Sequence, residues 1–109
     1  MSKQRVMKRL DELIVRRFDV MLYPYMTYAD NTEITHSGKE SDGTVKVYIE
    51  TPVFQGFKHA TCILPSYDWI EKEGYTDEEM RFWDEYLHHN AHLIQELAAE
   101  GGYAHATAV

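Results

Sequence analysis

The clearest pattern in the chain is an alternation over residues 44–51, where Val45, Val47 and Ile49 take turns with Lys46, Tyr48 and Glu50. A period of two marks a strand with one buried face. Residues 57–64 read as a second strand, which Pro65 stops because its ring removes a backbone donor. The connection from Thr51 to Gly56 is too short for a parallel crossover, so the two strands are predicted to pair antiparallel. Residues 18–28 are aromatic and apolar on both alternating sets, with Met21, Tyr23 and Tyr25 on one and Val20, Leu22, Met26 and Tyr28 on the other. They read as a further strand, in which Pro24 points to an edge, a bulge or a break. The competing reading continues a preceding helix to about Leu22.

Helical spacing occurs twice. Val6, Leu10, Leu13 and Ile14 form a narrow apolar stripe over residues 3–17, with Ser2 as an acceptable N-cap. Residues 77–100 give the stronger signal. Thr76 and Glu79 are spaced as a capping box, and Tyr75 can staple onto Met80. Asp77, Glu78 and Glu79 suit the positive end of the helix dipole, and Gly101-Gly102 stops the helix. On a helical wheel Trp83, Leu87, Ile94 and Leu97 define the buried side, while His88 and His92 point to solvent.

Residues 29–43 are rich in Asp, Asn, Thr, Ser and Gly and read as a loop. Residues 66–73 read as a short helical turn ending at Gly74. The predicted fold is α+β: an N-terminal helix, a small, mainly antiparallel sheet of two or three strands, and a long C-terminal helix packed on it. One domain is expected over residues 1–102, with a mobile tail over 103–109.

Length and composition narrow this further. A chain of 109 residues holds one ordinary core. Hydrophobic residues at 44% and charged residues at 27% exclude wholesale disorder. No apolar run reaches membrane-spanning length, and no apolar stretch follows the basic N-terminus as in a signal peptide, so a cytoplasmic protein is expected. The single cysteine, Cys62, cannot form an internal disulfide.

Net charge is -7, unevenly distributed. Lys3, Arg5, Lys8, Arg9, Arg16 and Arg17 outweigh Asp11 and Glu12 in the first 17 residues, and the rest of the chain is strongly acidic. Lys3, Arg5, Lys8, Arg9 and Arg16 could therefore touch nucleic-acid phosphates. The acidic body and the lack of a helix-turn-helix pattern disfavour that reading, and pairing of the basic segment with the acidic body is the plainer one.

Candidate chemistry is sparse. Asp84, His88, His92 and Glu96 follow at four-residue intervals and would line one side of a helix, where histidines so spaced can bind zinc. Their solvent-facing position favours a plain polar stripe. Cys62 and His59 fall on opposite faces of their strand, so a nucleophilic pair is not expected. No nucleophile elbow, phosphate-binding loop or dinucleotide fingerprint is present, and nothing calls for a cofactor.

The aromatics say more: eight Tyr, four Phe and two Trp. Two helices on one side of a small sheet would leave the other side too apolar for a monomer, which nominates Tyr23, Tyr25, Tyr48, Phe57 and Ile63 as an interface. The expected function is a non-catalytic protein-interaction or regulatory module, acting as a homodimer or with another protein and without a membrane. A nucleic-acid-associated regulator and a metal-dependent enzyme using Asp84, His88 and His92 are the alternatives. Histidines have no assigned part in association, which should then be nearly independent of pH between about 6 and 8.

Overall fold

A computed structural model of the chain describes residues 22–102. The segments 3–17 and 103–109, for which a basic helix and a mobile tail were expected, lie outside these residues. The described chain runs β1 (Leu22–Thr27), β2 (Glu33–Ser37), β3 (Val45–Val53), β4 (Gly56–Leu64), β5 (Asp68–Glu73) and α1 (Asp77–Glu100). The strands form one five-stranded sheet in the order β1-β2-β3-β4-β5, with every neighbouring pair antiparallel. The architecture is thus sheet first and helix last. Among the described residues this corrects the expected sheet of two or three strands to one of five, with a single helix following it.

The two added strands explain the error. β2 lies in the segment read as a loop, because of its three buried residues, Ile34, His36 and Ser37, only Ile34 is apolar. β5 replaces the expected helical turn over 66–73. Its six residues are mostly charged and exposed, so too little apolar pattern exists to reveal a period. Both strands are held by ladders to their neighbours, which is a tertiary effect that local propensity does not encode.

The β3–β4 hairpin follows the predicted alternation, pairing Val45 with Leu64 through Val53 with Gly56. Val45, Val47, Ile49, Ala60, Cys62 and Leu64 are buried on one side of the sheet. α1 lies over that side and contributes Met80, Trp83, Leu87, Ala91, Ile94, Leu97 and Ala98, which include the four core positions of the wheel. Thr76 and Glu79 form both bonds of the capping box. At 24 residues the helix is about 36 Å long. It ends at Gly101 in the left-handed conformation, and its end packs tightly on β1: a Cβ on Gly102 would lie 2.7 Å from the Tyr23 ring. No helix among the described residues is long and apolar enough to cross a membrane.

Candidate functional site

One side of the sheet faces α1. The other side, here called the outer face, is built by the alternate residues of each strand. Cross-strand pairing arranges it in rows. Thr35, Tyr48, Thr61 and Glu71 make one row, Glu33, Glu50, His59 and Glu73 the next, and Lys46, Ile63 and Asp68 a third. Phe57 pairs with Pro52 toward the hairpin tip.

Of the five nominated interface residues, Tyr48, Phe57 and Ile63 share the outer face. Tyr48 and Ile63 are half-buried, and Phe57 is 62% exposed. Tyr23 and Tyr25 belong to the other side. Tyr23 packs against buried His36, and Tyr25 is buried with its hydroxyl donating to Asn90 of α1 at 2.6 Å. Tyr23 pairs with inward-facing His36, and Tyr25, two residues on, keeps to the same side; Tyr25 is also the extra residue where the β1 register shifts between Pro24 and Met26.

Tyr48, Glu50, Phe57, His59, Thr61 and Glu71 line a hollow of about 430 Å³ on the outer face. His59 is its electrostatic centre. Nδ1 lies 3.0 Å from Glu71 Oε1, and Nε2 lies 3.1 Å from Glu73 Oε2. Both ring nitrogens can donate only when the imidazole is protonated. The hydrogen bond to Glu71, with the added fields of Glu71, Glu73 and Glu50, raises its pKa above the usual value of 6.5, against a smaller opposing effect of burial. Thr61 donates to Glu71 at 3.3 Å. Sequence reasoning missed this cluster because two of its carboxylates sit on β5, which was read as helical.

The histidine row of α1 is engaged in separate contacts. His88 Nδ1 lies 2.8 Å from the Asp84 carbonyl oxygen, and its ring stacks on Tyr67 with centroids 3.7 Å apart. The Asp84 carboxylate accepts from Trp69 Nε1 at 2.9 Å, and His92 lies 3.0 Å from Glu96. Among the described residues no three His, Cys, Asp or Glu side chains are grouped as they would be to hold a metal ion. Cys62 is fully buried, and desolvation drives its thiol pKa up to about 12, the opposite of what a nucleophile needs. Lys3, Arg5, Lys8, Arg9 and Arg16 lie outside the described residues.

His36 is the one residue among those described that keeps a buried side-chain nitrogen, Nε2, without a hydrogen-bond partner. Its Nδ1 lies 2.8 Å from the Ser37 carbonyl oxygen and donates to it in the neutral ring. Burial lowers its pKa.

No family model, curated protein or solved structure matches this chain.

Proposed function

We propose that the protein is a non-catalytic interaction module that works as a homodimer, with the outer face of the sheet as its contact surface. The observation that carries this reading is the exposure of Phe57 on the face that also holds half-buried Tyr48 and Ile63, on the side of the sheet opposite α1. Five strands about 4.8 Å apart, with a longest strand of nine residues, offer a footprint of roughly 24 by 30 Å. That is of the order of the 800 Å² per partner buried in a standard interface. A two-fold pairing of sheets can stack such faces directly. The cytoplasmic setting belongs to the same proposal and rests on the lone cysteine.

The carboxylates set a condition on this dimer. Glu33, Glu50, Asp68, Glu71 and Glu73 face outward with Lys46, so two such faces repel unless some charge is neutralised. Protonated His59 does this for Glu71 and Glu73. The expectation of pH-independent association is therefore replaced: the dimer tightens as pH falls through the raised pKa of His59, and as salt screens the remaining repulsion. The test is mass by light scattering or sedimentation at micromolar concentration, at neutral and mildly acidic pH. The expected result is a dimer that Tyr48→Lys and Ile63→Lys convert to monomer while helical content by circular dichroism is unchanged. A wild type that stays near 12.8 kDa under all conditions refutes the reading. A dimer indifferent to both substitutions rejects this face.

A further inference from the structure

On the helix side, a second and separate feature stands where the β1–β2 turn meets the first half of α1. Tyr28, Ala29, Asp30, Thr32, Phe82 and Trp83 line an open hollow of about 400 Å³. Its aromatic walls meet at steep angles. Phe82 and Trp83 have centroids 4.9 Å apart with planes at 78°, and Tyr28 and Trp83 lie 6.3 Å apart at 53°. Tyr86 braces the group from outside the cavity, edge-on to both Trp83 and Tyr28, and accepts the Tyr28 hydroxyl proton at 2.7 Å. Trp83 is part of the core, whereas Phe82 is 58% exposed and Tyr28 is 37% exposed, so the mouth is open to solvent.

One wall carries a charge. Asp30 accepts the Thr32 backbone N–H at 2.9 Å in a tight turn, beside Asn31 in the left-handed conformation. That bond and the Thr32 hydroxyl hold its carboxylate below the ordinary pKa, so it is ionised under all near-neutral conditions. A neutral apolar ligand would gain nothing from it. Aromatic rings around a cavity, with a fixed carboxylate at the rim, match a soft, weakly hydrated cation. The ring quadrupoles and the carboxylate attract such a cation together, and its methyl groups fill the apolar space. An unmodified ammonium is more strongly hydrated and loses more on entry.

We propose that Tyr28, Phe82, Trp83 and Asp30 form a binding site for a methylated ammonium group. The group can be carried by a small quaternary amine or by a methylated lysine side chain. The site does not depend on the outer face, and either reading can fail alone.

The test is a tryptophan-fluorescence titration, with the full-length protein, of tetramethylammonium, choline and a short neutral peptide bearing trimethyllysine. Its uncharged control is 3,3-dimethylbutanol, which keeps the shape of choline's head without the charge. Saturable binding is expected with a dissociation constant on the order of 1 mM or tighter for the cations. Phe82→Ala and Asp30→Asn should each weaken it about tenfold, and both positions are exposed enough for the fold to persist. A nuclear magnetic resonance map of the shifted amides, centred on residues 28–32 and 79–86, replaces fluorescence if Trp69 dominates the emission. Tighter binding of the peptide than of both free amines assigns the site to methylated protein tails, and the reverse order to small amines. Equal response to the neutral control, or no saturation by any cation, overturns the proposal.

Discussion

Leu87→Ala is the sharpest probe of how the helix is seated. Leu87 is fully buried in the core cluster that also contains Val47, Cys62 and Ile94. Truncation removes about three buried carbons, worth roughly 0.8 kcal/mol each. A cavity of some 50 Å³ that does not collapse adds about 1 kcal/mol at 24 cal/mol per Å³. The expected loss is therefore about 3.5 kcal/mol, a large share of the 5–15 kcal/mol typical of a whole domain. The assay is urea unfolding followed by circular dichroism, in which the midpoint should fall while the slope stays constant. His88→Ala is the internal control. Its side chain is half-exposed, but it stacks on Tyr67, so its removal should cost about 0.5–1 kcal/mol rather than nothing. Losses of equal size at the two positions would mean that α1 presents a different side to the sheet, and the assignment of the helix face would fail.

Two further outcomes test the electrostatics. His36 in the core and His59 on the outer face should give opposite pH slopes. His36, whose pKa burial lowers, opposes folding once the pH drops below the unfolded value of 6.5, because the unfolded chain then takes up a proton that the folded one rejects. His59, whose pKa is raised by the bond to Glu71, adds stability that is complete below 6.5 and fades as pH rises through its folded pKa. Titration of the ring resonances by nuclear magnetic resonance should place the two midpoints on opposite sides of 6.5, and a common midpoint would refute both environments. Cys62 should resist a thiol-specific reagent at neutral pH in the folded protein and react at once in denaturant, and prompt labelling without denaturant would contradict its burial.

What could be read from the sequence follows from how local each signal is. The α1 boundaries were legible because the Thr76–Glu79 capping box and the Gly101-Gly102 stop are short-range chemistry, and the β3–β4 hairpin because its alternation is strong. β2 and β5 were not, because strands with few apolar positions are defined by the ladder beside them. The side taken by Tyr23 and Tyr25 is set by the pairing of Tyr23 with His36, and the β1 sequence, apolar on both alternating sets, does not reveal it. The His59 cluster joins β4 to β5, and the aromatic cavity joins residues 28–32 to residues 82 and 83. Neither could be seen before the pairing and the seat of the helix were known.

Eight Tyr, four Phe and two Trp are more than one covered sheet face of this size can bury, which favours self-association. The structure divides them unevenly. Tyr23, Tyr25, Tyr28, Tyr67, Tyr75 and Tyr86 gather on the helix side, around His36, Trp83 and His88. Tyr48 and Phe57 are left to the outer face, with Ile63. This relieves most of the surplus within one chain and leaves the proposed interface with few large anchors in a field of carboxylates. Affinity follows buried anchors rather than footprint, so an interface of this make-up belongs in the micromolar range rather than the nanomolar. The same uneven division gives the helix side its ring cluster, in which Trp83 touches Tyr28, Phe82 and Tyr86, so the proposed cation site meets rings that already contact one another.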